Sequence, residues 1–201
     1  YENLLKLFNL IFPELKYYVM PKDETWRFYH LVVPSLSNHS DGVISPNMPK
    51  WIRRLGNVVV PGQPKQTRKI FLTRKDAENR NITNQQQFLL ALKWWEQITL
   101  ENLTLTEQVQ IFKEASHILS PHGAGLVNTL WCQPGTKVIE LQHKKFIGKK
   151  VYPILSQHLG LEHKVYLAKS KPINKAKPKN KKSKDMVDLE INIPELLKYL
   201  D

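Results

Sequence analysis

Cysteine is almost missing from this chain. Cys132 is the sole example in 201 residues. That excludes a disulfide within the chain and argues against a cysteine-based zinc site. No apolar run approaches membrane-spanning length, and the first residues do not look like a signal peptide. No Asp-x-Asp pair occurs, so a metal held by such a pair is not supported. Acidic residues are also scarce, 18 against 30 lysines and arginines, which gives a formal net charge of +12. What remains is ordinary for a globular protein. Hydrophobic residues make up 41% of the chain, enough for a core, and the length suits one domain or one domain plus part of another. The chain opens on Tyr1 rather than Met, as a processed chain or a piece of a longer one would.

The positive charge is concentrated. Lys169, Lys171, Lys175, Lys177, Lys179, Lys181, Lys182 and Lys184 carry eight charges with no acid among them. Pro172 and Pro178 interrupt the same stretch, so residues 169–184 are expected to form a mobile loop. Such a loop would be a solvated surface, or would attract an anionic membrane surface or another polyanion. Nucleic acid is not supported, because no helix-turn-helix, zinc-finger or RNA-stacking motif accompanies the lysines.

Taken in order, residues 2–12 have the spacing of an amphipathic helix stopped by Pro13, and residues 16–20 and 28–33 read as short strands. Residues 50–55 read as a short helix, and Pro61-Gly62-Gln63-Pro64 looks like a boundary. Beyond it, strands are expected at 69–73, 97–100, 117–120, 137–141 and 164–168. Helices are expected at 84–94, from Leu105 to about Ala115, from Leu126, at 152–159 and at 195–200, with an extended stretch at 186–193. Thr104-Leu105-Thr106-Glu107 is a capping box. The alternation predicts an α/β fold, a Rossmann-like parallel sheet with helices on both faces. Residues 1–60 would be the tail of a preceding domain, and 66–201 the sheet domain.

The centre of the pattern is Ser120-Pro121-His122-Gly123-Ala124-Gly125-Leu126-Val127-Asn128. It reads as strand, tight turn and helix, which aims backbone N–H groups at a ligand beyond the strand end and suits a phosphate. Gly123 and Gly125 would permit close approach of the backbone. His122 would sit at the mouth, and Asn128 one turn further on. Ligands of open parallel sheets bind outside the carboxyl ends of the strands, where Arg74, His122 and Glu140 are expected to fall. Arg74 and Arg80 offer guanidinium forks that match phosphate oxygens. Glu140 could accept both hydroxyls of a ribose, or be a salt-bridged carboxylate. His117 and His143 are read as packing or surface residues.

Several segments together resemble a known family. They are Phe71-Leu72-Thr73-Arg74-Lys75-Asp76-Ala77-Glu78-Asn79-Arg80-Asn81-Ile82-Thr83-Asn84, Leu103-Thr104-Leu105-Thr106-Glu107-Gln108-Val109-Gln110-Ile111-Phe112, the stretch from Ser120 to Asn128, and Pro134-Gly135-Thr136-Lys137-Val138-Ile139-Glu140. Their order and spacing look like glycosyltransferase family 61, over about residues 68–142. The resemblance implies the C-terminal half of a GT-B fold, two Rossmann-like domains with the active site between them. It implies inverting, metal-independent transfer from a nucleotide-sugar donor, UDP-linked by expectation, to a glycan or polysaccharide acceptor. No cofactor is expected. Arg74, Arg80, His122, Gly123, Ala124, Gly125 and Asn128 would contact the donor phosphates, and Glu140 the ribose. His122 is a candidate general base, but its position points to the phosphates, so the base is left unassigned. The acceptor side would lie in the N-terminal domain, of which the chain carries about sixty residues. A truncated or degenerate binding module is one alternative. A basic interaction protein acting through residues 169–184 is another. The single cysteine and missing signal favour bacterial cytoplasm, beside a membrane. Sequons at Asn38, Asn81 and Asn102 would matter in an ER or Golgi lumen.

Overall fold

The computed structural model describes residues 9, 13, 14, 16, 18–31, 47–73, 80–144, 150–172 and 187–200. Five strands form one parallel sheet: β1 (Arg68–Leu72), β2 (Glu96–Ile98), β3 (Ala115–Pro121), β4 (Lys137–Gln142) and β5 (Glu162–Leu167). Their spatial order is β2-β1-β3-β4-β5, and every neighbouring pair runs parallel. Among the described residues five α-helices flank the sheet: α1 (Met48–Val59), α2 (Gln85–Ala91), α3 (Leu105–Glu114), α4 (Val151–Leu159) and α5 (Ile193–Leu200). This is the expected Rossmann-like α/β architecture.

Both faces of the sheet are covered, so the strands are apolar at successive positions rather than alternating. In β1, Ile70, Phe71 and Leu72 are all buried. Ile70, Leu72, Ile118 and Val138 face one core, shared with Leu55 and Val60 at α1, Val109 and Phe112 of α3, and Leu155 and Leu159 of α4. Phe71, Leu119, Ile139 and Leu141 face the other, with Phe88 of α2 and Leu196 and Leu200 of α5. Helix α1 lies on the amino side of the expected boundary, yet it packs into the first core. It is also longer than the expected helix at 50–55. Among the described residues no helix is long and apolar enough to cross a membrane.

Local chemistry explains the helix ends. Thr104 Oγ1 accepts from the Glu107 N–H at 3.3 Å, and the Thr104 N–H donates to Glu107 Oε2 at 2.7 Å, which completes the capping box that opens α3. Gly160 ends α4 at φ 69°, a left-handed position suited to glycine.

The segment after β3 differs from expectation. Residues Ala124–Trp131 form a 3₁₀ helix rather than an α-helix. Buried positions recur every third residue, at Gly123, Leu126, Thr129 and Cys132, the period of a 3₁₀ helix. The Thr129 hydroxyl donates to the Leu126 carbonyl at 2.7 Å, and the Asn128 amide to the Gly125 carbonyl at 3.4 Å. Side chains thus bond carbonyls three residues back and compete with the α-helical ladder.

Two other differences concern the chain's flanks. The expected strands at 16–20 and 28–33 do not form at the described positions 18–20 and 28–31. Tyr18, Val19, Phe28, Tyr29 and Leu31 there are exposed, so no neighbouring strand or core rewards an extended pairing. The expected helix at 2–12 lies almost wholly outside the described residues. At the other flank the lysine-rich stretch begins as structure, not as a loop. Residues Lys169–Pro172 form β6, antiparallel to β7 (Val187–Glu190). Glu190 offsets the charge, with Lys169 Nζ at 3.7 Å and Lys171 Nζ at 3.0 Å. Residues 173–186 lie outside the described residues.

Candidate active site at the strand ends

The strand order sets the location. From β1 the chain moves through α2 to β2 on one side, whereas from β3 it moves to β4 and β5 on the other. The carboxyl ends of β1 and β3 are neighbours, so a crevice opens between diverging connections, the position where sheets of this kind bind ligands. Thr73 follows β1 there, its hydroxyl 2.7 Å from that of Thr99. His122 and Gly123 follow β3. Arg74 lies outside the described residues.

Arg80 is brought into this crevice from the connection after β1. Its backbone is left-handed, φ 61°, a conformation that costs a non-glycine residue about 1–2 kcal/mol. Pairing along β7 holds it there. The Arg80 N–H donates to the Val187 carbonyl at 2.8 Å, the Asn81 N–H to Asp188 Oδ1 at 2.9 Å, and the Leu189 N–H to the Asn81 carbonyl at 2.8 Å. The Arg80 guanidinium then donates to the carbonyl of His122. Two residues 42 apart in sequence therefore meet at the mouth of the crevice.

Behind His122 lies a buried polar chain. Glu140 of β4 is 0% exposed. One carboxylate oxygen, Oε1, takes His122 Nδ1. The other, Oε2, takes His163 Nε2 of β5 at 3.0 Å. His163 Nδ1 in turn lies 2.8 Å from the hydroxyl of Ser156 on α4. The register explains the meeting. Val138 pairs with His163, Ser120 with Glu140, and His122 continues β3 two residues beyond Ser120. The three groups step across one face of the sheet from the interior to its carboxyl edge, beneath α4. Burial pushes the Glu140 carboxyl up from its ordinary 4.5, but hydrogen bonds from His122, His163 and Gln142 outweigh it and hold the group down at about 2. Glu140 is therefore a carboxylate at any working pH. Its carboxylate is enclosed, with His122 between it and the carboxyl edge of the sheet.

The turn is shaped around this pair. Tyr152 of α4 stands edge-on to the His122 ring at 5.4 Å and donates its hydroxyl to the Gly123 carbonyl at 2.7 Å. Gly123 itself is buried and Ala124 exposed. Gly125 faces inward: a Cβ there would lie 3.1 Å from Leu100 Cδ1, so a larger residue would need that side chain to yield by a few tenths of an ångström. Asn128 accepts from Trp131 Nε1 at 3.2 Å, which engages its side chain within the 3₁₀ helix. Of the expected site residues, Arg80, His122, Gly123 and Glu140 thus converge. His163, Ser156 and Tyr152 join them without having been foreseen. Their sequence signal is weak: a polar residue at an inward position of β5, and two more on the sheet side of α4.

A separate cleft of about 630 Å³ opens beyond the ends of β4 and β5. Asn84, Lys144, Tyr166, Lys169, Glu190 and Glu195 are among its lining residues, and it shares none with the His122–Glu140 pair. Among the described residues, no three His, Cys, Asp or Glu side chains are grouped to hold a metal ion.

Residues 7–139 match the model of the family described as Glycosyltransferase 61. A stretch of 69 residues is 39% identical to human protein O-linked-mannose beta-1,4-N-acetylglucosaminyltransferase 2, covering 32% of this chain and 12% of that protein. A parallel sheet with polar groups gathered at its switch point, together with a family match over most of the chain, identifies the protein: it belongs to glycosyltransferase family 61.

Proposed function

We propose that this chain supplies the donor-binding, Rossmann-like half of a GT-B glycosyltransferase. The carrying observation is the His122–Glu140 pair, set with Arg80 at the crevice between β1 and β3. The donor is a nucleotide-sugar, UDP-linked, with its diphosphate against the turn 122–125. Arg80 and Arg74 supply fixed positive charge to its oxygens. His122, backed by the Glu140 carboxylate, presents Nε2 to the same group. As the bond between the anomeric carbon and the phosphate oxygen breaks, its electron pair goes to the diphosphate, and these cations stabilise the charge that develops. The acceptor hydroxyl attacks from the opposite side, which inverts the anomeric centre, and a base outside this sheet takes its proton. The arginines and His122 do the work that a divalent cation performs in other transferases, so no metal is needed. Asn128 and Gly125 serve by holding the 3₁₀ helix, and Glu140 by orienting His122 rather than by binding ribose.

The acceptor is a glycan or polysaccharide. The name of the human relative, which refers to an O-linked mannose and to N-acetylglucosamine transfer, supports a saccharide acceptor. The resemblance to a two-domain enzyme supports an acceptor site on a second domain, so binding of donor is the activity assigned to the described sheet.

Calorimetric titration of the full chain with UDP tests this. Saturable binding is expected, insensitive to EDTA and weakened about tenfold by Arg80→Ala and by His122→Ala. Equal binding by both variants, or none to UDP, GDP or CDP, refutes the assignment.

A further inference from the structure

We propose that His163 is a positioning residue for His122, acting through the buried Glu140 carboxylate, with Ser156 fixing the His163 ring. The proposal rests on the reading of His122 as a donor-diphosphate contact and extends it into residues beyond the matched family span, which ends at 139.

The argument begins with the carboxylate. A buried ionised carboxylate is stable only if both oxygens are supplied with donors. His122 serves Oε1, and His163 serves Oε2 at 3.0 Å. Were His163 apolar, Glu140 would lose that donor, and its carboxylate would lean more heavily on the donors that remain, His122 and Gln142. That alters the ring it supports. Glu140 is thus held for His122 by a group on the next strand.

Hydrogen directions then follow in sequence. His163 Nε2 must carry hydrogen to donate to Glu140, so in the neutral ring Nδ1 is an acceptor. The Ser156 hydroxyl, 2.8 Å from Nδ1, donates to it. His122 Nδ1 likewise carries hydrogen toward Glu140. Each member deeper than His122 is enclosed: the side chains of His163 and Glu140 are 6% and 0% exposed, and Ser156 is buried. The His122 side chain, at 12%, is the end that meets the crevice. An arrangement that needed His163 for packing alone would not orient both of its ring nitrogens.

The groups around His122 are Glu140 and, through it, His163 and Gln142 from β4 and β5. Tyr152 adds an edge contact from α4, and the Arg80 guanidinium lies on the His122 carbonyl. Removing the His163 donor makes the Glu140 carboxylate more basic. It then favours the protonated His122 ring more strongly, and the pH profile of diphosphate binding moves upward.

The test uses the full chain labelled with ¹⁵N in histidine, alongside UDP titration between about pH 5 and 8. In the unaltered chain, ring spectra are expected to show His163 as the Nε2–H tautomer. His163→Leu should alter the His122 ring signals and raise the midpoint of UDP binding by about one pH unit. His163→Gln should restore both in large part, because its amide can donate to Glu140, and Ser156→Ala should give a smaller shift of the same sign. The inference is overturned if folded His163→Leu keeps the His122 signals and pH midpoint of the unaltered chain. It is overturned equally if His163 is the Nδ1–H tautomer. If no nucleotide binds at any pH, the donor reading fails, and the ring spectra still decide the positioning role.

Discussion

Lys113 and Glu140 are both buried charges of the same sheet core, 4% and 0% exposed, near opposite ends of the strands. Lys113 ends α3 at the amino side. Its ammonium donates to Asn57 Oδ1 at 2.8 Å and to the carbonyls of Val60 and Gly62, each at 2.6 Å. Three donors meet three acceptors that never titrate, tying α3 to the end of α1 and the chain that follows it. Desolvation lowers its affinity for the proton. Glu140 is held instead chiefly by two imidazoles. One of them reaches the crevice between β1 and β3. A buried charge closed off by backbone and amide is a structural clamp. One closed off by titratable groups that lead to the surface can serve chemistry.

The sharpest break in the comparison comes from removing each charge. Lys113→Met leaves two carbonyls and an amide oxygen buried without their donor, so stability should fall by about 3 kcal/mol, read by urea unfolding. UDP affinity of the folded fraction should not change. Glu140→Gln should show the reverse balance: UDP affinity falls about tenfold, while stability drops by about 1–2 kcal/mol. Equal binding losses at both ends would dissolve the distinction.

Acid sharpens it further. Glu140 has its folded pKa depressed from 4.5 to about 2, so the stability it contributes is fully present above 4.5 and is lost as pH falls toward 2. Unfolding midpoints measured across that window should decline less steeply in Glu140→Gln, and Lys113→Met should keep the original slope. The smallest effect belongs to a site remote from both charges. Thr104→Ala removes the capping box of α3 and should cost about 1 kcal/mol with no change in nucleotide binding.

Much of this comparison was readable beforehand on one side and little on the other. The alternation of strands and helices after residue 66, the capping box at Thr104 and the turn at His122 are local features, written in neighbouring residues. Glu140 was legible as a polar residue near a strand end. Its enclosure was not, because that depends on the register that sets Val138 beside His163 and on the sheet side of α4. Ser156, His163 and Glu140 share no local pattern. Lys169 and Lys171 read as part of a charge run, since their offset by Glu190 requires pairing with β7, some twenty residues on. The 3₁₀ form of Ala124–Trp131 was concealed by apolar spacing that also suits an α-helix, and the threefold burial of Leu126, Thr129 and Cys132 distinguishes them. The described parts of the expected strands at 16–20 and 28–33 form none, because propensity without a partner strand forms no sheet.

The most direct test of the central claim is an amide ¹H–¹⁵N spectrum of the full chain titrated with UDP. The account predicts saturable shifts at Thr73, Arg80 and residues 122–125, with the amides around Asn57, Gly62 and Lys113 unmoved. Shifts centred on that amino-side cluster, or a spectrum unchanged at millimolar UDP, would contradict it.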